Sequence, residues 1–346
     1  MRRFPEERES QENCRHDVLW ICGVLLALHV VLLGYSAAAH SPTIDEVAHM
    51  AAGVSHWELG RFDLYRVNPP LVRLLATLPV AVVGYVADWT GYSTGPGERP
   101  EFYLGEKFVD LNGSRVFHLF TWARWACIPL SVLGAVVCFL WARDLFGRAA
   151  GVLALGLWCF SPTVLGHAQL ITPDIGSTAL GLAAVYSLWR WLRTPSWYAA
   201  YAAGLLLGLA ELTKATLIVF FVLFPVLWVL WRVLQPGDSS NAPLRRSAAQ
   251  LALCLSIAVI LLNAGYGFEG TFQQLGDYRF VSRALSGQTT SSGNRFAGTC
   301  LSAVPVPLPV NYLLGVDTQK SDFERGERSY LRGQWRDRGW WYYYLY

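Results

Sequence analysis

The stretch that decides the fold is residues 18–39, VLWICGVLLALHVVLLGYSAAA, which contains no Asp, Glu, Lys or Arg. A membrane-spanning helix needs about 20 mostly apolar residues, so this segment predicts a first transmembrane helix. Residues 1–17 before it are polar and of mixed charge, and no small-residue cleavage site stands out after it. We therefore interpret it as a retained helix rather than a signal peptide.

The rest of the chain has the same character. Of its 346 residues, 53% are hydrophobic and only 15% are charged, whereas a soluble domain carries about 25% charged residues. The net charge of +3 is small and no basic patch is interleaved with aromatics, so nucleic acid is not an expected partner. The composition predicts an all-α polytopic protein whose partner is the lipid bilayer.

Six further apolar segments predict spans and bring the expected number of transmembrane helices to seven. One long apolar run, 149–189, is too long for a single crossing, and we divide it near Pro173, where a helix can begin. The other four spans are 125–142, 196–212, 214–231 and 247–268. A shorter apolar segment, 71–87, is interpreted as an amphipathic helix that lies on the outer face or packs against the bundle.

The distribution of arginine predicts which side each loop occupies. The loops after spans two, four and six fall on the same side as the N-terminus, and all are rich in arginine: Arg143, Arg148, Arg190, Arg193, Arg232, Arg245 and Arg246, with Arg2, Arg3, Arg8 and Arg15 in the tail. Positively charged loops remain in the cytoplasm, so we expect a cytoplasmic N-terminus. Segments 40–124 and 269–346 then face the exterior.

The predicted organisation has three parts. Residues 1–17 form a cytoplasmic tail, 18–268 form a transmembrane domain that includes the exterior loop 40–124, and 269–346 form an exterior loop leading into a further span. The final residues, RGWWYYYLY, suit a membrane interface and indicate an eighth span that is cut short. Only Cys300 falls in an exterior segment, so we expect no exterior disulfide framework.

Asp45 and Glu46, in TIDEVAHMAAG (43–53), lie just past the first span. Adjacent carboxylates in different environments can divide acid and base roles, which makes this pair a candidate catalytic site. The alternative is structural, with Thr43 capping a helix and the two acids in its first turn, where the helix dipole favours them.

His49 and His56 lie two turns apart on one face of the same expected helix, which leaves a metal site open. DEVAH also resembles a zinc-peptidase helix, but Asp45 stands where that signature requires histidine. Packing or hydrogen bonding is the alternative role of these histidines.

Further ionisable or polar residues at the outer ends of the spans complete the candidate set. They are Asn68, which could orient the carboxylates; Arg73, expected at headgroups or in the cavity; and His167, Asp174 and Lys214 in the two short outer turns. Asp174 could simply cap a helix and Lys214 could snorkel to the interface, with Glu211 as a candidate partner. Ionisable groups at membrane depth are costly and usually functional or paired, so we expect one convergent site.

The order of these motifs resembles a known family. The acidic pair after the first span is followed by a motif that runs from Gly60 through Asp63 to the NPPL of residues 68–71. The segments HAQLITPDIGSTALGL and LGLAELTKAT come after it. The chain thereby resembles the C-type glycosyltransferase superfamily, in particular its branch of protein O-mannosyltransferases and lipid A aminoarabinose transferases.

The resemblance implies an enzyme that moves a sugar, with inversion, from a polyprenyl-phosphate donor to a hydroxyl of a protein, lipid or glycan acceptor. It places Asp45 as the catalytic acid residue, Glu46 as its neighbour, Lys214 near the lipid phosphate and Asp174 as a polar residue of the second exterior turn. We group Asp174 and His167 with Lys214 as candidates for binding the donor phosphate. His49, Asn68 and Arg73 are supporting candidates. It also implies the bacterial cytoplasmic membrane, with the site on its exterior face. No cofactor is certain, and a divalent cation stays open.

A transporter or a non-catalytic membrane scaffold is the competing interpretation, since acids and a lysine can also form an ion path. The candidate residues lie at span ends, however, whereas transporter sites lie near the midplane. A zinc peptidase is the third alternative.

Overall fold

The computed structural model describes residues 5–234, 243–287, 293–326 and 328–345, with only the backbone for 5–15 and 344. About 70% of the structure is helical, which confirms the all-α prediction. The helices are α1 (Pro5–Ala39), α2 (Ile44–Leu59), α3 (Leu71–Val83), α4 (Glu101–Asn112), α5 (Val116–Phe146), α6 (Arg148–Phe160), α7 (Pro162–Ala168), α8 (Pro173–Arg193), α9 (Trp197–Glu211), α10 (Phe220–Leu234), α11 (Leu244–Gly265), α12 (Arg283–Ser286) and α13 (Val310–Arg325).

Short elements complete the described ranges. Single 3₁₀ turns cover Gly113–Arg115, Leu275–Asp277 and Tyr343–Leu345, and a longer one, Ala215–Val219, leads into α10. Strands β1 (Ser329–Leu331) and β2 (Gln334–Arg336) form an antiparallel hairpin, with Tyr330 opposite Trp335.

The long apolar run 149–189 is interrupted twice, at positions that its sequence explains. The hydroxyl of Ser161 accepts a hydrogen bond from the Val164 N–H, and Pro162 occupies the first helical position, where a missing N–H costs nothing. α6 and α7 consequently meet at 57°. α8 begins at Pro173 for the same reason, which agrees with the predicted division.

The predicted number of seven crossings is not confirmed. Four stretches of the described residues are long and apolar enough to span a membrane: His16–Ala39, Glu101–Phe146, Ala215–Leu234 and Leu244–Gly265. The bent pair of α6 and α7 is a fifth if it forms one span. α8 and α9 are not among these stretches, and the 15 residues of α9 are fewer than a straight crossing needs. α1 also begins earlier than expected, at Pro5.

α3 corresponds to the predicted short helix of 71–87 and packs against α2 and α5. Both of its polar residues are buried, among apolar ones, and its exposed face is apolar too. The buried face includes Arg73 and Thr77, whereas the exposed face includes Leu78 and Val82. An apolar exposed face suits contact with lipid more than contact with water.

The main core lies between α2, α3, α5, α8, α9 and α11. α9 and α11 approach closely at Gly204 and Gly208, one turn apart on α9. A Cβ on Gly204 would lie 2.5 Å from the Cys254 carbonyl oxygen, and one on Gly208 would lie 2.9 Å from the Leu261 Cβ. Small residues at four-residue spacing are a common way for membrane helices to pack tightly.

Several residues used in the topology prediction lie outside the described part of the chain. Arg2 and Arg3 precede it, and the side chains of Cys14, Arg8 and Arg15 are not described. The C-terminal Tyr346 also lies beyond it.

Candidate active site

The first element of the site is a buried ion pair between Glu46 on α2 and Arg124 on α5. The Arg124 Nε and Nη2 atoms donate to the two Glu46 carboxylate oxygens at 2.8 and 2.6 Å. Both side chains are at most 1% exposed. Such a bidentate pair fixes the relative orientation of the two helices.

Both side chains also form hydrogen bonds with backbone groups. Glu46 also accepts hydrogen bonds from the Thr43 N–H and the Ile171 N–H, and Arg124 donates to the carbonyls of Ala37, His40 and Ser41. The pair thereby fixes the turn between α1 and α2. The sequence left open a structural role for the acidic pair at the start of a helix. Glu46 has such a role, because its carboxylate accepts a hydrogen bond from the N–H of the N-cap residue Thr43.

Arg124 has no counterpart in the sequence prediction, because the predicted span began one residue after it. Its signal was a single arginine within the apolar run TWARWACIPL. Since arginine is rarely buried without a partner, this position could have been matched to a carboxylate.

Asp45 has a different environment from its neighbour. It lies in the first turn of α2, is exposed, and forms no hydrogen bond or ion pair with another described side chain. Its charge does act on Tyr65, whose pKa is raised by burial first and by Asp45 as a smaller cause. An exposed carboxylate without a partner is available to accept a proton from a bound molecule.

Asp174, Lys214 and His167 form the second element. The Lys214 Nζ donates to one Asp174 oxygen at 2.8 Å, and the His167 Nδ1 lies 3.7 Å from the other. All three side chains are between 30% and 50% exposed. The two short turns that carry these residues are thus in contact, and the Lys214 ammonium group is partly accessible.

Glu211 does not pair with Lys214, as the sequence had suggested. It is buried and accepts a hydrogen bond of 2.7 Å from the Tyr312 hydroxyl of α13. Segment 269–346 therefore packs onto the end of α9, a contact that no local sequence pattern indicates.

Backbone contacts connect the two elements. The Ile171 N–H bound by Glu46 lies 3.2 Å from its oxygen and belongs to the turn that precedes Asp174. The Leu71 N–H at the start of α3 donates to the carbonyl of Leu212, two residues before Lys214, at 3.0 Å. Four separate parts of the chain thus meet, although Asp45 forms no direct bond with Asp174 or Lys214.

Of the supporting candidates, His49 and Arg73 are buried and Asn68 is half-buried. Arg73 is 2% exposed and donates to the carbonyls of Tyr65 and Asn68, so it does not reach lipid headgroups. Its contact with Asn68 is to the backbone, and the Asn68 amide is not among the partners of Glu46. Arg73 thus stabilises the 65–68 segment that leads into α3.

His49 and His56 are buried beside Arg73. Burial and the Arg73 charge lower the pKa of His49 well below 6.5 and that of His56 to about 3, so both rings are neutral. His56 Nδ1–H donates to the Arg61 carbonyl and its ring stacks on Phe62. No group of three metal-ligating side chains occurs within the described residues, and these contacts correspond to the packing alternative.

Comparison with known proteins gives a match over the helical region that contains Arg124, Asp174 and Lys214. A family model described as dolichyl-phosphate-mannose-protein mannosyltransferase matches residues 114–265. No curated protein and no solved structure matches the chain significantly. The matched family consists of glycosyltransferases, and the several apolar helices fit an integral membrane protein. The resemblance to C-type glycosyltransferases, of the mannosyltransferase kind, is therefore confirmed over residues 114–265 of this chain.

Proposed function

We propose that this protein transfers a sugar from a polyprenyl-phosphate donor to an acceptor hydroxyl at the exterior surface of the membrane. The observation that carries the proposal is the placement of Asp45. It is an exposed carboxylate without a partner among the described side chains, and it is next to Glu46, which the ion pair with Arg124 holds in place. Glu46 also binds the turn leading to Asp174, and Asp174 binds Lys214.

Asp45 is the proposed general base. It accepts the proton of the acceptor hydroxyl while that oxygen forms a bond to the anomeric carbon. The bond between this carbon and the phosphate oxygen breaks at the same time, on the opposite face, so the configuration inverts. Because polyprenyl phosphate is a good leaving group, no acid is needed to protonate it.

Lys214 is the proposed contact for the departing phosphate. The bond to the sugar breaks with its electron pair on the phosphate oxygen, and a positive charge nearby stabilises the negative charge that develops. Asp174 keeps the lysine in place at 2.8 Å and, with His167, forms the wall of the phosphate site. Glu46 acts as a positioning residue, since its oxygens are already bound.

The proposed topology has a cytoplasmic N-terminus and places segments 40–124 and 269–346 outside the bacterial cytoplasmic membrane. Cys300 offers a direct test, because it is exposed and lies in the second of these segments. A membrane-impermeant maleimide should label intact spheroplasts of the wild type but not of Cys300→Ser. Labelling of Cys300 only after the membrane is opened would contradict this topology.

The activity itself is tested with membranes that contain the protein and polyprenyl-phosphate sugars labelled in the sugar. We expect label to move to a lipid, glycan or protein fraction in the wild type and not in Asp45→Asn. If the wild type transfers no sugar from any polyprenyl phosphate, the donor class is wrong. If Asp45→Asn is fully active, the assignment of the base is wrong.

A further inference from the structure

A second surface of the molecule lies at the other end of α8 from Asp174. Arg190 and Arg193 occupy the last turn of this helix and Asp174 its first. Sixteen residues separate Asp174 from Arg190, which corresponds to about 24 Å along a helix axis. This surface therefore lies at the opposite side of the helical bundle from the candidate active site.

An apolar cavity of about 430 Å³ opens here between α5, α8 and α10. Its walls include Trp141, Leu188, Trp189, Leu227, Leu230 and Trp231. α10 contributes few buried side chains and exposes Val222, Val229 and Val233 to its surroundings. A groove of this composition suits hydrocarbon chains.

A second, polar cavity of about 340 Å³ adjoins the first, and Trp189 lines both. Its other walls are Asp144, Arg190, Arg193 and Thr194. The Asp144 carboxylate is already bound by Arg143 at 2.8 Å and by the Tyr186 hydroxyl at 2.6 Å.

Arg190 and Arg193 present their guanidinium groups at this surface. Both are exposed, and neither forms an ion pair with a carboxylate of the described residues. Their guanidinium groups instead lie over the rings of Tyr186 and Trp189, at 5.9 and 4.9 Å from the ring centres. The planar fork of arginine matches the oxygens of a phosphate group.

We propose that these two cavities together bind one anionic phospholipid, with its acyl chains in the apolar groove and its headgroup phosphate at Arg190 and Arg193. A ligand that fills both cavities must carry hydrocarbon next to a negatively charged group. An anionic phospholipid has both, whereas an apolar helix lacks the charge and a free ion lacks the hydrocarbon. The site is separate from the proposed sugar-transfer site and does not depend on it. Its effect is to fix the ends of α8 and α10 relative to α5.

Native mass spectrometry of the purified full chain in detergent tests the proposal. Phosphatidylglycerol and phosphatidylcholine with the same acyl chains are compared as added lipids. We expect the wild type to retain phosphatidylglycerol preferentially. Arg190→Gln with Arg193→Gln should lower its retention about 30-fold, because each arginine near an anionic lipid contributes about 1 kcal/mol and every 1.4 kcal/mol corresponds to a factor of ten.

Matched variants distinguish binding at this site from the effect of losing positive charge elsewhere and from lipid contact elsewhere on the surface. Arg245→Gln with Arg246→Gln removes the same charge from exposed positions of α11 and should leave retention unchanged. Leu230→Trp fills the apolar groove and should weaken both lipids, whereas Val229→Trp, at a similarly exposed position outside the groove, should not.

Three results would overturn the proposal: equal retention of the two lipids, equal loss in the two arginine double variants, or displacement of phosphatidylglycerol by inorganic phosphate at equal concentration. Size-exclusion profiles identify a variant that fails to fold. The Leu230→Trp and Val229→Trp pair keeps the test decisive if the arginine variant is unfolded.

Discussion

Glu46 and Arg124 form a bidentate ion pair in the protein interior, with atoms 2.6 and 2.8 Å apart and side chains at most 1% exposed. The pair joins the turn after α1 to the middle of the bundle. The Glu46 carboxylate is thus fully bound, whereas the exposed carboxylate of the adjacent Asp45 has no partner among the described side chains.

Glu46→Gln should therefore destabilise the protein. Removing the charge leaves Arg124 buried without its counter-ion, which typically costs about 3–5 kcal/mol. Unfolding of the purified protein, followed by its melting temperature, measures the loss. Glu106→Gln, at an exposed position of α4, is the control. An unchanged melting temperature in Glu46→Gln would show that the pair does not stabilise the fold.

Asp45→Asn should abolish sugar transfer without destabilising the protein. A general base typically contributes about 100- to 10,000-fold to the rate, and the exposed Asp45 side chain holds no partner that folding requires. Transfer from a labelled polyprenyl-phosphate sugar is measured at equal protein amounts. Asp110→Asn removes another exposed carboxylate and should remain active. An Asp45→Asn enzyme with normal turnover would exclude the role of base.

Lys214→Met should weaken use of the donor. Loss of one charge-assisted contact to the phosphate corresponds to about a 10- to 100-fold fall in kcat/KM for the donor. Lys214→Arg should restore part of it, because the charge remains but the geometry differs. Lys320→Met, at an exposed position of α13, is the matched control. Donor kinetics that are the same in Lys214→Met and in the wild type would contradict a phosphate contact.

Acid should destabilise the protein through His56. Burial and Arg73 lower its pKa to about 3 in the folded state, whereas an unfolded histidine has a pKa near 6.5. The unfolded state therefore binds the proton first as the pH falls, and stability decreases by about 1.4 kcal/mol per pH unit between these values.

The measurement is the change in unfolding free energy between pH 6.5 and pH 5. In His56→Gln this change should be smaller than in the wild type, since the titrating ring is gone. His118→Gln removes an exposed histidine and should keep the wild-type dependence. The same pH dependence in all three proteins would mean that His56 is not held neutral by its surroundings.

The sequence by itself determined the all-α class and some of the helix ends, such as the start of α8 at Pro173. An apolar run is visible in one continuous stretch of the chain. A proline at the first helical position, or a serine before it as at Pro162, acts only on the neighbouring residues. Both kinds of signal can therefore be interpreted locally. The family resemblance is of the same kind, because it depends on the order of short motifs. The candidate residues Asp45, Asp174 and Lys214 were found in this way.

The tertiary structure decided which of these groups are bound and which are free. Glu46 meets Arg124, 78 residues away, and Glu211 meets Tyr312, 101 residues away, instead of the nearby Lys214. Arg73 is buried beside two histidines that sequence alone left open as metal ligands. Pairings over such separations depend on how helices pack, and packing is set by the whole core rather than by any local pattern. The free carboxylate of Asp45 is visible only once the partners of Glu46 are known.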